Sequence, residues 1–512
     1  MQFAVGADSG TQGVKVVVID REGRVKARGY APHRFMDNLK PGESEQDPLV
    51  WVEALEKAMA QAFQKGYIDP SQVRSLGISG QQHGFVPLDD GGNPIRPAKL
   101  WNDTSTIAET EWLIEKMGGK KELIGKLGIA LAVGFTASKI LWLLRHEPKN
   151  YERLRSVLLP HNYLNFHLTG NKHMEFGDGS GTGLMDIHRQ IWSAEMIGKI
   201  DNHLMEKLPP LSHPREPAGV LRPELAKRFG MGEVLIASGG GDNMMAAIGT
   251  GNVRPGTMTL SLGTSGTIYS YFDRPFIDPE GEIAAFCDST GGWLPLLCTM
   301  NVTNTTEIFK GMMKISNEEL ENLASKAEPG SGGLIFLPYV DGERVPELPF
   351  ASAVFFGLNR RTFTSSHMAR SVMEGTIFNL GYGFSRLCSL GLQPQEVRAT
   401  GGGAKNRLWL QMAADIFQVP VRTLCEEEAG AYGAALQSIW NDHLYKKENI
   451  DIADITEEYV RLGDEVIEPN PRNFGIYQEL QERFNELWRG LKGNFRAHRN
   501  FGKQETNEDL SQ

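Results

Sequence analysis

The sequence predicts an α/β protein of two large domains, each opening on a strand–turn–strand hairpin. Three observations carry this reading. The chain has 512 residues, more than one hydrophobic core usually supports. Its start alternates apolar and polar residues and then changes to helical periodicity. The pattern of that start returns in the second half of the chain, which is the mark of an internal duplication.

Taken in order, Phe3 and Val5, then Val14, Val16 and Val18, define two strands, and a third begins at Val25 after the turn Arg21-Glu22-Gly23-Arg24. This is an antiparallel meander. Asp47-Pro48 reads as the N-cap and first-turn proline of a helix whose apolar face runs Trp51, Leu55, Met59 and Phe63. A strand ending at Ile78 follows. Further on, a helix carries Ile140, Leu143 and Leu144 and stops before Pro148. The segment Val234–Gly251 reads as a strand, a triple glycine, an acid and a helix start. Met258–Asp273 then matches the opening hairpin at a shift of 253 residues, with Gly10 on Gly263, Thr11 on Thr264, Gly13 on Gly266 and Asp20 on Asp273.

Later, the strand Glu396–Thr400 leads into Gly401-Gly402-Gly403 and a helix with Leu408, Met412 and Ile416 on one side. A helix of small residues runs from about Ala429 to Leu436. A last helix carries Tyr477, Leu480, Phe484 and Leu487 at helical spacing and reads as a packing element, with fraying expected after Arg499. The expected division is residues 1–250, 251–475 and a C-terminal helix and tail, 476–512, with a hinge near Gly249 to Pro255 and closure on substrate.

Composition narrows the function. With 40% apolar and 23% charged residues the chain is an ordinary globular protein, not a disordered or fibrous one. No run of 18 or more apolar residues is present and no leader is recognised at the start, so the expected address is cytoplasmic and no membrane is involved. Cys287, Cys298, Cys388 and Cys425 lie far apart without metal-binding spacing and read as reduced structural thiols. A formal charge of -10 and the lack of a basic cluster argue against nucleic acid as a partner. A polyanionic ligand must therefore be small and held locally.

Three glycine turns offer such a hold: Gly10-Thr11-Gln12-Gly13, Gly263-Thr264-Ser265-Gly266 and Gly401-Gly402-Gly403. Glycine admits close backbone approach to phosphate, and threonine adds an uncharged donor. Any one of them alone reads equally as a tight turn. No GxxxxGK[ST] segment exists and no GxGxxG follows a strand, which excludes a P-loop and a dinucleotide fingerprint and leaves the paired hairpins as the nucleotide device. Asp8 ends the first strand beside such a turn, where a carboxylate near phosphate calls for a divalent cation, with magnesium the natural candidate. Asp242 starts a helix after the triple glycine and, on its own, is as readily an N-cap. Gln82, His83, Asn102 and Asp103 occupy strand-end loops. Each alone is commonly a turn residue, and together they make a donor and acceptor set suited to a polyol.

GADSGTQGVK, ESEQDP, SGQQHG, LWND, GGGDN, SLGTSG and ATGGGAKN, in that order over roughly the first 440 residues, resemble the FGGY carbohydrate kinases. Within that family the motifs are nearest to those of kinases acting on D-xylulose. The resemblance implies two ribonuclease H-like domains, of the actin and hexokinase type, with a cleft between them where ATP and sugar meet. It further implies a general base at Asp242, with Asn243 beside it on the sugar, and Gln82, His83 and Asp103 reading the remaining hydroxyls. Thr11, Lys15, Gly263 and Thr264 would hold phosphates, Gly403, Ala404 and Asn406 would approach the adenosine, and Asp8 would face Mg2+. The region Asn304–Lys310, where relatives cover the adenine, gives no residue match.

The implied reaction is ATP-dependent phosphorylation of D-xylulose at its 5-hydroxyl. Gln82 stands where bacterial relatives often carry methionine, which leaves ribulose and four-carbon polyols such as erythritol open. Glycerol kinases look like Arg-Glu at the Gln82-His83 position, which speaks against glycerol. A non-catalytic actin-like sugar sensor is the reading from another class, and no basic helical module supports it. The family often forms dimers, so the resemblance admits a homodimer.

Overall fold

The computed structural model describes residues 2–509, with side chains described for residues 2–499. Two compact α/β units emerge. The first comprises Met1–Pro255, Tyr271–Pro295 and Glu428–Arg461, and the second Gly256–Ser270, Leu296–Glu427 and Leu462–Gln512.

In the first unit the expected meander is present as strands Phe3–Ser9, Gly13–Ile19 and Val25–Pro32. The strand Val73–Gly80, two residues longer than its apolar pattern suggests, adds parallel to Phe3–Ser9, with Asp8 opposite Ser79 on that side and opposite Lys15 across the hairpin. Beyond it the short pieces Leu235–Ile236 and Gly240–Gly241 pair parallel to the same strand. This parallel edge delivers the triple glycine, and then Asp242, next to the strand that carries Ser79.

Helix Pro48–Gly66 covers one face. Asp47 caps it, its side chain accepting from the Leu49 N–H at 3.0 Å, with Pro48 in the first turn. Trp51, Leu55, Met59 and Phe63 bury against Val5, Ala7, Val14, Val16 and Val18. The opposite face is covered by helix Ala429–Tyr445, through Ala431, Ala434 and Ala435. It approaches so closely that a Cβ at Gly6 would lie 1.8 Å from Ala431 O, and one at Gly77 2.0 Å from Ala434 O. The same helix crosses Asp242–Gly249 at glycine: a Cβ at Gly433 would meet Met245 O at 1.8 Å. Only small residues permit these approaches.

That packing sets the unit boundaries apart from a single cut after residue 250. Residues 428–461 follow the second hairpin in sequence yet pack on the first sheet, because their glycines and alanines match its glycines. Residues 271–295 likewise group with the first unit.

The second unit repeats the device. Strands Thr257–Leu262 and Gly266–Ser270 form an antiparallel hairpin, Glu396–Thr400 adds parallel to the first of them, and Leu296–Thr299 adds antiparallel to the second. Strands Val421–Leu424 and Leu462–Ile467 extend the sheet beyond Glu396–Thr400. Each unit therefore surrounds its glycine hairpin with the same order of parallel and antiparallel neighbours, the structural counterpart of the sequence repeat. Helix Ser365–Ser389 is buried over most of its length. The last helix, Pro471–Asp509, packs Tyr477, Leu480 and Phe484 into a core with Leu337, Tyr339 and Phe378. Tyr477 also donates to Glu374 at 2.9 Å, which pairs with Arg370 at 2.7 Å. Fraying is expected after Arg499, yet the helical backbone continues to Asp509, and the side chains beyond residue 499 lie outside the described residues. Among the described residues no helix is long and apolar enough to cross a membrane. Among the described residues none of the four cysteines forms a disulfide.

Candidate active site

In the first unit the strand ends converge on two half-buried carboxylates. Asp8 accepts the Ser79 hydroxyl at 2.6 Å, an interaction set by their register opposite each other on parallel strands. Lys15, its partner across the hairpin, reaches Glu428 at 2.7 Å. Helix Ala429–Tyr445 comes so near that a Cβ at Gly430 would sit 3.1 Å from the Asp8 carboxyl carbon. Burial raises the proton affinity of Asp8, with Glu428 adding to the effect and Ser79 and Lys15 opposing it. Burial would weaken the Lys15 ammonium, but Glu428 and Asp8 leave its pKa above the ordinary value.

Asp242 is not an N-cap. Gly241 fills that position, and Asp242 is the first residue of helix Asp242–Gly249. Its Oδ1 accepts the Asn243 backbone N–H at 2.8 Å and the Asn243 side-chain amide at 2.9 Å. The same amide donates to Gln82 Oε1 at 2.8 Å, and Gln82 Nε2 approaches Met244 Sδ at 3.2 Å. Burial pushes the Asp242 carboxyl up to about 7, helped by the charges of Asp8 and Asp178 and resisted by the Asn243 donors. A carboxylate of that affinity is matched to accept a proton near neutral pH.

His83 follows Gln82 with a left-handed backbone, φ 60°. Its ring clusters with those of Phe135, 4.6 Å away, and Phe286, 5.4 Å away, which also contact each other at 6.0 Å. Asp103, expected to read a sugar hydroxyl, has its carboxylate engaged by groups of the protein itself. It is wholly buried, its oxygens taking the Ser44 N–H at 2.9 Å, Lys99 Nζ at 3.2 Å and the Ser105 N–H at 3.0 Å. Lys99, four residues earlier, is shared between Asp103 and Glu45, which it reaches at 2.9 Å, so the Asp103 carboxylate is engaged within the protein.

Thr11 lies in the hairpin turn, where its hydroxyl donates to Gln81 Oε1 at 3.3 Å and accepts from Trp101 Nε1 at 3.1 Å. Gln46, from the ESEQDP segment, ties the Thr11 carbonyl at 2.8 Å. In the second unit Gly263 and Thr264 form the equivalent turn. Their carbonyls accept from the Thr303 N–H at 3.0 Å and the Val302 N–H at 3.2 Å, and the Thr264 side chain is exposed. Asn304–Lys310 therefore lies on a helix, Thr303–Met313, that starts at this turn. Gly403 and Ala404 lie in a short 3₁₀ turn, and Asn406 caps helix Arg407–Phe417 by accepting from the Trp409 N–H at 2.9 Å. A Cβ at Gly403 would meet Leu262 Cβ at 2.7 Å, which explains a glycine there by packing.

Among the described residues no three His, Cys, Asp or Glu side chains gather as a metal cage. Magnesium typically takes one or two carboxylates together with waters and phosphates, and the Asp8 carboxylate is a donor of that kind.

Four groups of this site escape sequence reading: Ser79, Glu428, Lys139 and Asp178. Ser79 opens the SGQQHG segment, so a signal for it existed. Glu428 lies in the other half of the chain from Lys15. Lys139 and Asp178 sit in helices without a motif of their own, both fully buried, the one pushed down to about 7 and the other up to about 8 by loss of solvent.

The model of the FGGY family of carbohydrate kinases, N-terminal domain, matches residues 3–249, and that of the C-terminal domain matches residues 246–441. A xylulose kinase from Haemophilus influenzae is 41% identical over 489 residues, covering 94% of this chain and 98% of its own. The crystal structure of a xyloylose kinase from Brucella ovis superposes with a TM-score of 0.88 at 30% identity, covering 96% of this chain and 100% of its own. That of a gluconate kinase from Lactobacillus acidophilus gives 0.89 at 26% identity, covering 97% of this chain and 99% of its own.

Proposed function

The chain belongs to the FGGY family of carbohydrate kinases, and from that premise we propose that it transfers the terminal phosphoryl group of ATP to the 5-hydroxyl of D-xylulose, releasing D-xylulose 5-phosphate and ADP. The observation that carries this reading is the hydrogen-bonded run Gln82–Asn243–Asp242, which joins a polyol-reading amide to a base of near-neutral affinity. The relative from Haemophilus influenzae supports the choice of sugar.

In the reaction the Asp242 carboxylate takes the proton of the sugar hydroxyl as the hydroxyl oxygen bonds to phosphorus, and ADP leaves with the electron pair of the broken P–O bond. Gln82, His83 and Asn243 orient the sugar, which sets the attacking oxygen in line. Asp103 contributes by holding the loop that contains Trp101. Thr11 and Lys15 of the first hairpin, and Gly263 and Thr264 of the second, are the proposed phosphate-binding groups, with Gly403, Ala404 and Asn406 toward the adenosine. Asp8 is the residue to hold Mg2+, which when bound supplies neutralising charge to the phosphate oxygens.

A coupled ADP-release assay across D-xylulose, L-xylulose, D-ribulose, L-ribulose, erythritol, glycerol and gluconate tests the reading. D-Xylulose is expected to give the highest kcat/KM. A preference for another acceptor would reassign the substrate, and turnover of none would refute the kinase reading.

A further inference from the structure

Beneath the proposed sugar site, Lys139 and Thr136 both reach the same backbone carbonyl. Lys139, in the helix Thr136–His146, is fully buried and donates from Nζ to His83 O at 2.6 Å; Thr136, at the start of that helix, donates to it at 3.2 Å. The His83 backbone N–H faces the buried Asp178 carboxylate. The peptide groups on both sides of His83 are thus held by charged or polar side chains from two other segments.

What they hold is a conformation that histidine does not adopt freely. At φ 60° the backbone is left-handed, where a side chain is disfavoured unless its surroundings enforce it. Here the ring is seated as well. Phe135 and Phe286 pack together against it, and a Cβ at Gly181 would lie 2.3 Å from two of its atoms, so the ring fits only because residue 181 is glycine.

Burial opposes the Lys139 charge, the Asp103 and Asp178 carboxylates offset part of that cost, and the hydrogen bond the ammonium makes is to the His83 carbonyl. An ordinary turn could be closed by a neutral donor, and Thr136 already provides one. We propose that Lys139 is a positioning residue for sugar recognition: together with Thr136 it clamps the His83 carbonyl, keeps residue 83 left-handed, and so aims the imidazole at the sugar. The proposal rests on the reading of His83 as a sugar-binding residue.

The test is a double-mutant cycle with Lys139→Met, which keeps the stem and removes the donor, in the wild-type and His83→Gly backgrounds. Glycine adopts the left-handed turn without help and carries no ring. In the wild-type background Lys139→Met is expected to raise the KM for D-xylulose about ten-fold and to change the KM for ATP less than about two-fold. In the His83→Gly background it is expected to add nothing. Thr136→Val, a milder loss, is expected to raise the sugar KM about three-fold and serves should Lys139→Met fail to fold. An unchanged sugar KM in folded variants, or an equal rise in both backgrounds, overturns the proposal.

A readout independent of turnover separates this from the choice of substrate. In protein with 13C-labelled histidine, the His83 ring signal is expected as one resonance in the wild type and as shifted or multiple resonances in Lys139→Met and Thr136→Val. If the wild type phosphorylates no sugar, the kinase reading falls and the ring signal still decides the clamp: an unaltered His83 resonance in the variants refutes it.

Discussion

Asn243 Nδ2 lies 2.9 Å from Asp242 Oδ1 and donates its second hydrogen to Gln82 Oε1 at 2.8 Å. The proposed base therefore does not act as an isolated acid. Its affinity for a proton is the balance of burial and the Asp8 charge, which raise it, against the Asn243 donors, which lower it. Each of these contributions can be changed separately.

The first expectation concerns pH. Asp242 must be deprotonated to accept the sugar proton, so kcat/KM should rise as pH increases through about 7 and level off above it. An aspartate of ordinary acidity would already have levelled off near pH 5. Replacing Asn243 by Ala removes a donor to the charged form and should move the rise to higher pH.

Asp8→Asn should move it the other way. Removing the neighbouring negative charge favours the ionised form of Asp242, so the rise shifts to lower pH. Turnover should also fall, by about 10²-fold, through loss of the carboxylate proposed to meet the metal. The pH profile of the residual activity separates the two effects. A rise that stays in place would show that the two carboxylates do not communicate.

Gly181→Ala tests the seat of His83 from the side opposite Lys139. The backbone at residue 181 is right-handed and tolerates alanine, while the new methyl would collide with the imidazole. The sugar KM should rise with little change in thermal stability, as measured by steady-state kinetics beside a melting curve.

Stability should follow the glycine packing. Gly433→Ala places a methyl 1.8 Å from Met245 O, against backbone that cannot give way, and is expected to cost about 3 kcal/mol or more in denaturant unfolding. Gly475→Ala, in the last helix with nothing within 4 Å, is expected to stabilise by about 0.5–1 kcal/mol. Equal effects of the two would refute the packing account of the helix Ala429–Tyr445.

The contrast between these two glycines also marks how far sequence reading extends. Both hairpins were legible because strand alternation and glycine-threonine turns are local signals, and their recurrence added a second, independent one. Asp47 was legible as a cap for the same reason. The placement of residues 428–461 was not, since a run of alanines and glycines specifies a close helix approach but not which sheet it approaches. The burial of Asp103 was not legible, because its partners, Lys99 and the Ser44 amide, are brought to it by folding. Lys139 and Asp178 carry no periodic or motif signal; their role arises from the left-handed turn at His83, which the sequence does not announce.

Asp242→Ala, assayed for D-xylulose-dependent ADP release alongside direct measurement of ATP binding, tests the central assignment most directly. The expected result is a loss of about 10²- to 10⁴-fold in kcat with ATP affinity retained. Turnover close to that of the unaltered chain would contradict it and leave the proton of the acceptor hydroxyl to another group.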